Sequence, residues 1–153
     1  MPTVPNLVDR LARVVSLVAI AALVFGCATF GAGTTGPLVT IDAHGGRCVE
    51  GECRAVTTID RSGRLTIDAD GGPQVLSVAP DLLRVLAAAV DSTDYARITA
   101  VPFEGLCSTA VDGMELTYTF HPAGRPPVTF SSCEVAIDPA DPLFHALFVT
   151  LPR

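Results

Sequence analysis

Three stretches alternate apolar and polar residues with a period of two: Leu38 to Ala43, Arg54 to Asp60 and Arg64 to Ala69. Successive side chains of a strand point to opposite faces, so this rhythm predicts half-buried antiparallel strands. Gly45-Gly46 and Gly51 punctuate the first connection, and Asp60-Arg61-Ser62-Gly63 predicts a hairpin turn with Gly63 supplying positive φ. The three strands should run as a meander. The rhythm then changes to a helical one: from Pro80, a favoured first-turn residue, to Val90, with Ala79 or Ser77 before it. Leu83, Leu86, Ala87 and Val90 fall on one face, widened by Leu82 and Val85. Asp94 to Ile98 adds a further helical turn, and Pro102 and Gly105 then impose an irregular path to Cys107.

Period two returns in Glu115 to His121 and Val128 to Cys133, joined by Pro122-Ala123-Gly124-Arg125-Pro126-Pro127, which predicts a second hairpin. Asp141 is placed to cap a short helix that starts at Pro142 and carries Leu143, Phe144, Leu147 and Phe148 inward. The sum is one α+β domain over residues 38–153, an antiparallel sheet of about five strands with two helices on one face. Neither an internal repeat nor a heptad run interrupts it.

Upstream the pattern is different. Arg10 and Arg13 precede an uncharged run from Val14 to Phe25 that ends in Leu23-Val24-Phe25-Gly26-Cys27. The run holds about a dozen residues against the roughly 20 that span a bilayer, which predicts a cleaved export signal over residues 1–26 rather than a permanent helix. A cysteine just past a small residue resembles the lipobox of bacterial lipoproteins, with Phe25 standing where that family usually has Ala, Ser or Thr. The resemblance implies cleavage after Gly26, lipidation of the Cys27 sulfur, and residence on the outer face of the cell membrane. Residues 27–37, rich in Gly, Thr and Ala, then read as a lipidated N-terminus and tether.

Four cysteines remain after Cys27: Cys48, Cys53, Cys107 and Cys133. An even number in an exported chain predicts two disulfides, and four cysteines admit three pairings. Cys48 with Cys53 and Cys107 with Cys133 is the preferred set, because each pair brackets a turn or hairpin. Every cation of the chain is arginine, and loss of the signal leaves eight Arg against fifteen Asp and Glu, a net charge of -7. Such a surface repels phosphate backbones, so nucleic acid is excluded as a partner. The membrane, through lipid on Cys27, and an envelope protein or glycan are the expected partners.

Gly45-Gly46-Arg47-Cys48, Gly51-Glu52-Cys53 and the strand and turn through Gly63 resemble the opening hairpins of an uncharacterised domain of secreted and lipid-anchored bacterial proteins. Pro102-Phe103-Glu104-Gly105-Leu106-Cys107, Asp112-Gly113-Met114-Glu115 and Tyr118 are similar to segments in uncharacterised lipoproteins of high-GC Gram-positive bacteria. These resemblances imply an architecture and an address, with no activity attached.

Catalytic signatures are missing from the sequence. It contains no Gly-x-Ser-x-Gly elbow, no Cys-x-x-Cys pair and no phosphate loop, and His44, His121 and His145 lie far apart. His44, Cys48 and Cys53 match no zinc spacing, and Glu50 with Glu52 or Asp68 with Asp70 match no calcium loop, so no metal, cofactor or catalytic residue is assigned. The candidate binding surface is the acidic loop Glu50, Gly51 and Glu52 with Ser108 and Thr109 of the irregular segment, held by the bridges. The expected function is therefore that of a non-catalytic binding or structural lipoprotein of the envelope. The alternative is a protease inhibitor, because Cys107-Ser108-Thr109-Ala110-Val111-Asp112 with Phe130-Ser131-Ser132-Cys133 resembles subtilisin-inhibitor-like proteins.

Overall fold

A computed structural model describes residues 35–48, 51–69 and 71–152, without the side chains of residues 48, 51 and 52. All belong to a compact unit over Gly33–Arg153. The expectations for residues 1–26, the tether up to residue 34 and Cys27 lie outside the described residues.

Six strands form one antiparallel sheet in the order β4-β3-β2-β1-β5-β6: β1 Pro37–Cys48, β2 Gly51–Asp60, β3 Arg64–Ala69, β4 Gln74–Ser77, β5 Met114–Phe120 and β6 Val128–Ser131. Both expected hairpin systems are present, and β1 pairs with β5 to join them. Among the described residues three α-helices accompany the sheet: α1 Pro80–Ser92, α2 Tyr95–Thr99 and α3 Pro142–Thr150. A 3-10 turn occupies Ser108–Val111. The fold is thus α+β, with a sixth strand and a third helix beyond the expected five and two.

One face of the sheet is apolar and covered. Val39 and Ile41 of β1, Ile59 of β2, Leu65 of β3, Tyr118 and Phe120 of β5 and Phe130 of β6 form one buried cluster with Leu86 and Val90 of α1, Tyr95 and Ile98 of α2 and Leu143, Phe144 and Leu147 of α3. Leu38 and Val39 are neighbours, yet both are buried at 0% and 1% exposure. Strict alternation cannot put both inside; the register shift between Pro37 and Val39 takes up the extra residue. Phe144 stands edge-on to Tyr118, Phe120 and Phe130 with ring centroids 5.6–6.2 Å apart. Burial pushes the Tyr118 phenol up to about 12.

Helix ends are closed by a local cap and by arginines distant in sequence. Asp141 caps α3 by accepting from Leu143 N at 3.0 Å and also takes the Arg97 guanidinium at 2.5 Å. No basic residue lies in the last turn of α1. Instead Arg125, from the β5–β6 loop, donates to the carbonyls of Asp91 at 2.7 Å, Thr93 at 3.3 Å and Val90 at 3.4 Å. A cation there satisfies orphan carbonyls and opposes the helix dipole. Arg61, from the β2–β3 turn, holds the Asp91 carboxylate through two bonds of 2.7 and 3.2 Å and the His121 carbonyl at 2.8 Å.

This knot makes stability fall with acid. Burial, followed by the adjacent Arg61 charge, holds the His121 imidazole below its ordinary value of 6.5. The Arg61 hydrogen bond likewise holds the Asp91 carboxyl below its usual range. The unfolded chain therefore takes up the His121 proton first, and the folded state loses stability as pH drops below about 6.5. Asp91 adds its loss only below about 4. Melting followed by circular dichroism should show Tm dropping between pH 7.5 and 5.5, and His121→Gln should flatten that slope. A variant with the parental slope would place the effect elsewhere.

Two sequence expectations about burial need correcting. Phe148 points outward at 38% exposure, and Val85 is 55% exposed. The buried face of α3 is centred on Leu143, Leu147 and Thr150, with Phe144 and Ala146 on either side, so Phe148, one turn on from Phe144, falls at its edge.

Candidate functional site

Gly45-Gly46 does not end β1, which pairs with β5 as far as Gly45 and continues beside β2 to Cys48. Gly45 has φ 102°, and a Cβ built there would lie 2.8 Å from Thr109 Cγ2 and 2.9 Å from the Gly113 carbonyl oxygen. Only glycine lets the 3-10 turn sit this close to the strand. The turn ends at Asp112 in the left-handed region, φ 62°, where its carboxylate meets Arg47 Nε at 3.1 Å. Between these pieces lies a cleft of about 330 Å³ lined by His44, Gly45, Gly46, Thr109, Asp112 and Glu115.

Glu115 organises the cleft floor. It lies opposite His44 in the β1–β5 register, with Oε2 3.5 Å from His44 Nε2 and 3.9 Å from Cys107 Sγ. Its other oxygen, Oε1, accepts a short hydrogen bond from Ser131 Oγ. Ser131 Oγ in turn accepts from Cys133 N at 2.9 Å. The Cys107–Cys133 disulfide, with Cα atoms 5.1 Å apart, closes the group, and Thr109 Oγ1 lies 3.1 Å from Cys107 Sγ. Serine, carboxylate and imidazole are together here in an order unsuited to nucleophilic catalysis. Ser131 donates to the carboxylate rather than to His44, and it is buried at 7% exposure.

The face of the sheet opposite the helices is polar. Register places Thr66, Thr58, Thr40, Thr119 and Thr129 side by side across β3, β2, β1, β5 and β6. At about 4.8 Å per strand this row of hydroxyls is roughly 19 Å long. Thr119 Oγ1 and Thr129 Oγ1 are hydrogen-bonded at 2.9 Å. The next row contains Asp68, Val56, Asp42, Thr117 and Ser131, and then comes Arg54 beside His44 and Glu115. Arg54 grips Asp42 with two bonds of 3.2 and 2.7 Å, and this pairing lowers the Asp42 carboxyl below its usual range. Arg54, Val56, Asp68 and Ala69 line a second, open depression of about 430 Å³ on this face.

Of the sequence-derived binding residues, Thr109 lines the cleft and Ser108 begins the 3-10 turn. Gly51 and Glu52 belong to β2 by their backbone, while Glu50 and the Glu52 side chain are outside the described residues. Cys107–Cys133 is present as expected. Cys53 is also disulfide-bonded, but the side chain of Cys48, its expected partner, is outside the described residues. His121 lies beside Arg61, and His145 is on the exposed side of α3, so the three histidines do not converge. Glu115, Ser131 and the threonine row were missed. Their one sequence signal is alternation, which puts Glu115, Thr117 and Thr119 on the face opposite Leu116, Tyr118 and Phe120; the β1–β5 register needed to add His44 is not local.

No family model matches the chain, and neither a curated protein nor a solved structure does.

Proposed function

We propose that this chain is a lipid-anchored extracytoplasmic lipoprotein, held to the cell membrane through Cys27, that works as a non-catalytic binding module for a polyhydroxylated envelope glycan. The observation that carries the binding reading is the threonine row across the sheet face opposite the helices, continued by Asp42–Arg54 and His44–Glu115. Hydroxyls both donate and accept, and with carboxylate and guanidinium groups beside them they complement a sugar surface. Support for the anchor is the order Arg10, Arg13, Val14 to Phe25 and Cys27, and the Cys48–Cys53 bridge belongs to the same proposal. An inhibitory loop must offer extended backbone to a protease. The 3-10 turn over Ser108–Val111, packed on Gly45, supports the binding module over that alternative.

Threonine is also a good strand former on any solvated face. The Thr40→Val/Thr119→Val double variant separates the two roles, because valine keeps shape and strand propensity but removes the hydroxyl. Sedimentation of the full chain with purified envelope polysaccharide should show at least tenfold weaker binding by the double variant at unchanged Tm. Equal binding by both proteins would reduce the row to a strand-forming device.

A further inference from the structure

The sulfurs of Cys107 and Cys133 and a carboxylate oxygen of Glu115 all lie within 4.8 Å of one another. His44 Nε2 is 3.5 Å from the same Glu115 oxygen that lies 3.9 Å from Cys107 Sγ. In a tetrahedral zinc site, bond lengths of about 2.0–2.3 Å place neighbouring ligand atoms about 3.3–3.8 Å apart. Two edges of such a tetrahedron are therefore nearly in place around Glu115 Oε2. The edge between the sulfurs is shortened by the disulfide.

We infer that reduction of Cys107–Cys133 converts this cluster into a binding site for a thiophilic divalent cation such as zinc, with Cys107, Cys133, Glu115 and His44 as its four ligands. A dithiol supplies two electrons and two protons and is itself oxidised to a disulfide, while the S–S bond opens to two thiols. The incoming cation displaces both thiol protons and meets two thiolates, one carboxylate oxygen and one imidazole nitrogen. The donor set is mixed soft and borderline, which suits zinc over magnesium or calcium.

Two features outside the four ligands point the same way. Ser131 Oγ holds Glu115 Oε1, so Oε2 stays turned toward the sulfur and the imidazole. Such an outer hydrogen bond orients a ligating carboxylate. The cleft of about 330 Å³ opens at His44 and Glu115 and gives an ion a path to the cluster. The His44 side chain is 44% exposed and can turn to complete the fourth corner.

The test is a cobalt(II) titration of the full-length chain in detergent, reduced by a phosphine that is then removed. Cobalt reports tetrahedral geometry and thiolate bonding by absorption. One cobalt per chain with thiolate charge-transfer bands is expected in the reduced protein and in its Cys48→Ser/Cys53→Ser variant, and none in the oxidised protein. Glu115→Gln and His44→Ala, which keep all cysteines, should each weaken binding at least tenfold, and Ser131→Ala by about 10–100-fold. Far-ultraviolet circular dichroism of each reduced variant checks that the fold is retained. Bands that vanish in Cys48→Ser/Cys53→Ser, or that are indifferent to both Glu115→Gln and His44→Ala, would overturn the assignment, as would their absence from folded, reduced protein. None of these readouts depends on glycan binding.

Discussion

Replacing Phe120 by alanine should destabilise the domain by about 3–5 kcal/mol, the cost of emptying a ring-sized space in a packed core. Phe120 is fully buried on β5, within 6.2 Å, centroid to centroid, of Tyr95, Tyr118, Phe130 and Phe144. Those four rings reach it from α2, β5, β6 and α3, so none can collapse into the gap without pulling its own element along. For a domain of this size, Tm should fall by roughly 10–20 °C. Phe148→Ala is the control. That ring stacks on Phe144 at 6.0 Å but is 38% exposed, and its loss should cost less than about 1 kcal/mol. Equal losses in the two variants, measured by urea or thermal unfolding, would contradict the placement of α3 over the sheet.

The second large effect belongs to the bridge between Cys107 and Cys133, which are 26 residues apart in sequence. Loop-closure arithmetic makes this crosslink worth about 3.5 kcal/mol, against roughly 2 kcal/mol for a loop of the Cys48–Cys53 size. Cys133→Ser should therefore lower Tm by more than Cys53→Ser. The difference has a structural reason besides entropy. Cys107–Cys133 ties the 3-10 turn and the end of β6 to the Glu115 cluster, so its opening also loosens the cleft floor. Equal shifts in the two variants would count against the proposed Cys48–Cys53 pairing.

Where alternation or helical periodicity was unbroken, the elements were legible in the residues themselves. β3 runs over Arg64–Ala69 as its pattern predicts, and Asp141-Pro142 starts α3 through an N-cap bond to Leu143. The misses have separate physical causes. β4 is short, exposed throughout and bounded by Gly72, Pro73 and Pro80, so it has no buried side to reveal it; only its bonds to β3 make it a strand. Gly45-Gly46 reads as a turn because glycine is the usual turn residue, whereas here positive φ lets a strand pass under the 3-10 turn. Phe148 was placed inward by hydrophobicity, while the buried face of α3 is centred on Leu143, Leu147 and Thr150 and leaves residue 148 at its edge.

The site was legible only in pieces for the same reason. Cys107, Cys133 and Thr109 were visible as a braced segment. Their neighbours Glu115, His44 and Ser131 come from three strands, and what joins them is cross-strand register, a property of no single segment. The same holds for the threonines, which are scattered from residue 40 to residue 129 and line up only in the folded sheet.

The proposed function rests on an address: acyl chains on a new N-terminal residue would place the domain at the cell surface, where an envelope glycan is within its reach. Mass spectrometry of the N-terminal peptide from membrane-extracted protein tests that directly. The account predicts a peptide beginning at Cys27 whose mass carries a diacylglyceryl group on the sulfur. A peptide that begins upstream of Cys27, or a free thiol at that residue, would contradict it.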